Sequence, residues 1–386
     1  MIRMAETIDL LGRLVAFPTV SSDSNLEMIV FLADRLSSAG ARVEMQQNAD
    51  GTKANLFATI GPEEPGGILL SGHSDVVPVT DQEWTTDPFA VTERDGRLYG
   101  RGTCDMKGFI AAAVAMAPLY ADAATRRPIH FAFTHDEEIG CLGAQALAPL
   151  LREREALPSV AIIGEPTLMQ VIEGHKGCYE YSVHFTGLEG HGSAPGRGVN
   201  AVEFAVRYVM RLMELTEELK ARAPATNRFD PPWTTINTGA LQGGVAHNVI
   251  PGRARIDWEM RPVQTGDADF VKTTLREFCA EELLPRMRKV DPSADIVTEV
   301  MGEVDGLVPM DESEARDLVL ALTGESDTST VPFGTEAGIF QALGMSAVVC
   351  GPGSIAQAHR PDEYLSLDQL GRCLDMLERL AGRLGP

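Results

Sequence analysis

The sequence predicts an α/β fold: a domain with a mixed, largely parallel sheet and helices on both faces, interrupted by an inserted α+β domain with an antiparallel sheet. Three observations carry this. Short apolar runs alternate with helical spacing through the first 163 residues, the pattern turns to period-two alternation near Gly177, and the first style resumes after about residue 309. The predicted boundaries are 1–177 with 309–386 for the first domain and 178–308 for the insert.

In order, 7–15 and 26–39 have helical spacing, the second stopped by Gly40, and 42–45 and 55–60 read as strands. The strand 68–70, helix 108–119, strand 129–134, helix 144–151 and strand 160–163 continue the alternation. In the insert, 179–186 alternates like a half-exposed strand, 200–219 is helical, 234–241 and 254–260 alternate again, 267–284 is helical and 295–300 closes the unit. The Pro-rich stretch 223–233 reads as a loop; helix 313–322, strand 346–350 and helix 367–384 return to the first style.

A chain of 386 residues is longer than one core usually serves, which agrees with two domains. With 33 basic against 55 acidic residues the formal charge is −22, which argues against nucleic acid or an anionic membrane as partner. No basic segment followed by an apolar core opens the chain, and no apolar run is long enough for a bilayer, so the expectation is a soluble cytoplasmic protein. The six cysteines are scattered without a CxxC pair and suit reduced thiols. A metal here would need histidine and carboxylate ligands, the donor type of catalytic rather than structural sites.

Ligands of open α/β sheets bind at strand ends, and five such places carry polar groups. They are His73 and Asp75 in SGHSDVVPV, Asp105 in GRGTCDMKG, the pair Glu137 and Glu138 in DEEIG, Glu165 in IIGEPT, and His359 in AHRPDEY. Each has a plain structural alternative: a mutual hydrogen bond for His73 and Asp75, a helix cap for Asp105, a solvated pair for the glutamates. Their recurrence after apolar strands favours a shared role. Two histidines with several carboxylates match a two-metal oxygen/nitrogen site, with Zn2+ expected and Co2+ or Mn2+ able to use the same donors.

These motifs, with GLEGHGSAPGRGVNA in the insert, resemble in order and spacing the M20 family of metallo-amidohydrolases over nearly the whole chain. The resemblance implies a zinc-binding catalytic domain interrupted by a lid domain, through which a homodimer forms. It implies that His73 and Glu165 bind one zinc, Glu138 and His359 a second, and that Asp105 bridges them. Asp75 would orient His73, and Glu137 would be the general base. His191 resembles the family histidine that stabilises the oxyanion, often from the partner subunit, although a surface-turn histidine is equally compatible with its glycine-rich setting.

Asn248 in AHNVIPG and Arg261 in DWEMRP match substrate-binding positions of the family; an arginine fork suits a carboxylate, while a strand-end ion pair is the alternative for Arg261. PFGTEA resembles the TEA signature of the family's acetylornithine deacetylases. That implies hydrolysis of N2-acetyl-L-ornithine, a small N-acylated amino acid, to acetate and L-ornithine, within arginine biosynthesis. Glu336 would then meet the substrate ammonium or serve as a structural hydrogen-bond acceptor. Desuccinylase, aminoacylase or dipeptidase activity, or metal-dependent binding without catalysis, are the alternatives.

Overall fold

The computed structural model describes residues 2–264 and 266–385 and divides the chain into two compact units. The first comprises 1–174, 309–330 and 335–386; the second comprises 175–308 and 331–334. The first break thus falls at Gly174 rather than 177, and the short 331–334 stretch belongs with the insert.

The first unit is built on an eight-stranded sheet in the order Arg42–Gln47, Ala54–Ile60, Ile129–Thr134, Ile68–His73, Val160–Pro166, Ser346–Gly351, Val171–His175, Thr328–Val331. Its centre is parallel: Ile129–Thr134 pairs with Ile68–His73, which pairs with Val160–Pro166, which pairs with Ser346–Gly351. Antiparallel pairs flank this centre, so the sheet is mixed with a parallel heart. Full burial of all four central strands explains their continuous apolar character. Helices Lys107–Ala115 and Leu367–Ala381 contribute to the core that covers them: Phe109, Ile110, Leu370 and Leu377 belong to one buried apolar cluster with Ile68, Leu70, Ile129 and Ile162.

The second unit has four antiparallel strands in the order Thr235–Gly243, Arg253–Arg261, Cys178–Thr186, Asp295–Val304. Helix Ala201–Arg222, capped by the Asn200 side chain on the Glu203 amide, and helix Asp267–Phe278 share an aromatic-rich core with the sheet, containing Tyr181, Phe185, Tyr208 and Trp258.

Two expected helices are broken. The 108–119 pattern becomes Lys107–Ala115 and Ala117–Ala123, with Pro118 in the first turn of the second. The 267–284 pattern ends at Phe278, continues as a π turn over Cys279–Leu283 and restarts at Leu284–Arg288, again with a proline in its first turn. A proline offers no N–H to the preceding turn, so each restart falls where that bond would be missing. Strand Val171–His175 escaped the sequence reading because its apolar run is cut by Glu173 and His175, both buried here. Among the described residues no helix is long and apolar enough to cross a membrane.

Candidate metal centre

The four central parallel strands deliver their C-terminal ends to one edge of the sheet, and the candidate residues follow from those ends. His73 is the last residue of its strand, Glu165 is the last but one of Val160–Pro166, Glu137 and Glu138 follow Ile129–Thr134, and His359 follows Ser346–Gly351. Asp105 reaches the same place from the turn before helix Lys107–Ala115. That helix is capped at Met106 with no side-chain bond, so Asp105 is not its cap.

Asp105 is central to the arrangement. Its Oδ1 lies 3.0 Å from His73 Nε2, which is itself 3.6 Å from Glu165 Oε1. Its Oδ2 lies 3.4 Å from His359 Nε2, which is 3.0 Å from Glu138 Oε2. The two oxygens of one carboxylate therefore face two separate histidine–glutamate pairs. Donor atoms of His73, Asp105 and Glu138 lie within 4.8 Å of one another, as do those of His73, Glu137 and Glu165.

The electrostatics call for added positive charge. Burial pushes the Glu165 carboxyl well above its ordinary value, with the Asp105 charge adding to the effect, and it raises Glu138 in the same way. Burial, opposed by the pull of His73 and reinforced by Glu138 and Asp105, pushes Glu137 up to about 8. Burial opposes ionisation of Asp105 too, but hydrogen bonds from His359 and His73 hold its carboxyl below the usual range. His359 is pushed up to about 10 by its contacts with Asp105 and Glu138. Carboxylates gathered with only two imidazoles to offset them, and with oxygen and nitrogen donors throughout, fit divalent cations of the zinc, cobalt or manganese type.

The supporting contacts correct one expectation. His73 Nδ1 donates to the main-chain carbonyl of Asp75 at 2.9 Å, while the Asp75 carboxylate is 3.7 Å away. That carboxylate instead accepts from Ser21 Oγ at 2.7 Å and from the amides of Glu137 and Glu138 at 3.1 and 3.3 Å. Asp75 thus fixes the imidazole through its backbone and the glutamate turn through its side chain. Cys141, in the left-handed region at φ 55°, donates its thiol to Glu137 Oε1 at 3.4 Å.

Glu336 is 1 % exposed, and its oxygens accept from Ser71 Oγ at 2.5 Å and Thr134 Oγ1 at 2.8 Å. Its carboxylate therefore braces two neighbouring strands, the structural one of its two expected roles. Burial raises its pKa, against the lowering effect of those hydroxyls.

In the second unit, His191 and Asn248 share a small ribbon: His191 pairs with Val249, and the Gly192 amide donates to the Asn248 carbonyl at 2.7 Å. His191 is exposed, and its Nδ1 lies 3.1 Å from the Ser193 amide, which donates to it. An accepting Nδ1 leaves the proton on Nε2, the tautomer that can donate outward. Arg261 ends its strand and pairs with Glu259 at 2.9 Å, the strand-end ion pair anticipated as its alternative.

Sequence reasoning missed Arg101 and Glu363. Buried Glu363 accepts from the Cys104 and Asp105 amides at 2.8 and 3.1 Å and from Arg101 at 2.8 Å. The available signal was two opposite charges at the edges of GRGTCDMKG and AHRPDEY, with nothing in one dimension to pair them.

Known proteins resemble this chain in sequence and in fold. The description "Peptidase family M20/M25/M40" matches residues 69–383. Acetylornithine deacetylase of Pasteurella multocida (strain Pm70) is 35% identical over 383 residues, covering 97% of each chain. That of Myxococcus xanthus is 38% identical over 376 residues, covering 96% of this chain and 95% of the relative. Among solved structures, the M20 family metallo-carboxypeptidase Sso-CP2 of Sulfolobus solfataricus superposes with a TM-score of 0.73 at 19% identity, covering 97% of this chain and 98% of that one, and shows the shared fold. With the match running across both units and through every strand end that bears a candidate ligand, the chain belongs to peptidase family M20/M25/M40.

Proposed function

We propose that this M20 hydrolase cleaves the amide bond of N2-acetyl-L-ornithine to give acetate and L-ornithine. The observation that carries the reading is the near-full-length identity of 35–38% to relatives bearing the name acetylornithine deacetylase. The paired arrangement around Asp105 supports two metal ions, zinc by preference: His73 and Glu165 would hold one, Glu138 and His359 the other, with Asp105 shared. The free state of all six cysteines suits the cytoplasmic setting of this reaction.

When bound, such ions supply Lewis acidity, making water a better nucleophile and an amide carbonyl a better electrophile. The chain's own chemistry is proton transfer and positioning. Glu137, oriented by the hydrogen bond from its main-chain amide to Asp75 and by the Cys141 thiol, takes the proton of the attacking water and returns it to the leaving amine nitrogen. His191, holding its proton on Nε2, donates to the oxygen that gains negative charge. Asn248, beside it on the ribbon, and Arg261 bind the rest of the substrate, Arg261 by exchanging Glu259 for the substrate carboxylate.

Turnover of N2-acetyl-L-ornithine, N-succinyl-diaminopimelate, simple N-acetyl amino acids and dipeptides by metal-loaded protein tests the substrate. The highest kcat/KM is expected on N2-acetyl-L-ornithine, and absence of that activity would end the reading. We further propose a homodimer through the second unit, whose helix Ala201–Arg222 exposes Val206, Met210 and Met213, with His191 serving the partner's site. Mixing inactive Glu137→Gln chains with inactive His191→Ala chains is then expected to restore activity, because one site of each hybrid is intact. If subunits exchange and the mixture stays inactive, His191 does not act across the dimer.

A further inference from the structure

Of the five candidate ligands, His359 has the least support from regular structure. It lies in an irregular turn, its side chain is 53% exposed, and its backbone is in the left-handed region at φ 63°. L-residues adopt that region at a cost and keep it only where surrounding contacts determine it. Part of that determination comes from the segment following the first motif. Gln82 Nε2 donates to the His359 main-chain carbonyl at 2.9 Å. Three residues on, the Thr85 amide and hydroxyl donate to Asp362 Oδ1 at 2.9 and 3.0 Å, so the segment is fastened to the ligand turn at a second point.

The orientation of the Gln82 amide is set by its other end. Its Oε1 accepts from Arg101 Nη2 at 2.6 Å and from Trp84 Nε1 at 3.2 Å. Both groups are donors only, so the oxygen must face them and the NH2 must face His359. Arg101 is buried, lies over the Trp84 ring with its Cζ 5.1 Å from the centroid, and donates to Glu363 at 2.8 Å. Glu363 in turn accepts from the Asp105 amide at 3.1 Å. One polar chain therefore runs from the backbone of Asp105 through Glu363, Arg101 and Gln82 to the backbone of His359.

We infer that Gln82 is a positioning residue for His359: its side-chain amide holds the ligand turn so that the imidazole meets Glu138 and Asp105. The inference rests on the metal-centre reading given above. Groups that orient ligands from outside are commonly worth roughly 10–100-fold in metal affinity.

Gln82→Glu isolates the relevant bond. A carboxylate keeps both acceptor contacts, to Arg101 and Trp84, but presents an oxygen instead of an N–H to the His359 carbonyl. Gln82→Met, similar in length and lacking both functions, is the second variant should the first disturb folding. Zinc affinities of the full-length wild type, both variants and His359→Ala are measured by competition with a chromogenic chelator, with circular dichroism as the folding control.

The expected result is two zinc affinities in the wild type, of which one falls about 10–100-fold in each folded Gln82 variant and the other is unchanged. The weakened one should be the one lost in His359→Ala. Wild-type affinity for both ions in a folded Gln82 variant, or equal weakening of both, overturns the inference while leaving the metal centre standing. A wild type that binds no zinc overturns the metal-centre reading and this inference with it.

Discussion

Glu137→Gln is expected to retain wild-type metal content and substrate affinity while kcat falls about 10²–10⁴-fold. The glutamine keeps the shape of the side chain and an oxygen for the Cys141 thiol, and the substitution leaves the main-chain amide that donates to Asp75 untouched. What it removes is the ability to accept a proton from water and deliver it to the amine. Metal analysis of the purified variant and steady-state kinetics on the same sample give both quantities. Undiminished turnover would exclude Glu137 as the base, and loss of metal would place it among the ligands.

Asp105→Ala is expected to abolish activity by a different route. Each Asp105 oxygen faces its own histidine, at 3.0 and 3.4 Å, so its removal takes a donor from both halves of the centre at once. Loss of affinity should exceed the roughly 10–100-fold that follows removal of an outer partner. Stability supplies an independent readout. Ions that bind only the folded chain stabilise it by about 2.7 kcal/mol at one hundred times Kd and about 4.1 kcal/mol at one thousand times. Adding a chelator should therefore lower the Tm of the metal-loaded wild type and leave that of Asp105→Ala nearly unchanged. An equal chelator-induced drop in both proteins would mean that Asp105 does not hold the ions.

Much of this centre was legible in the sequence because its residues break a strong local rule. His73, Glu165 and the Glu137–Glu138 pair follow apolar runs that need to be buried, where charged side chains require compensation. The same contrast between apolar runs and period-two alternation marked the inserted unit. What stayed hidden depends on contacts between segments remote in the chain. The role of the Asp75 carboxylate could not be read, because Ser21 and the glutamate amides reach it only once the strands align. Glu336 looked equally suited to substrate or structure until Ser71 and Thr134 took its two oxygens. Helix breaks at Met116 and Cys279 were missed for another reason: apolar spacing continues across them, and the prolines just beyond carried the signal.

The position of strand Ser346–Gly351 has a consequence for biosynthesis. It lies inside the sheet, between Val160–Pro166 and Val171–His175, yet it is made after the whole inserted unit. Until it leaves the ribosome, the nascent chain carries Val160–Pro166 with one flank unsatisfied, a template for pairing with another copy. His359 follows the end of that strand, Gly351, by eight residues, so arrival of the last central strand both seals the open flank and brings in the last of the candidate donors. Uptake of the second ion would then mark a chain whose sheet is complete.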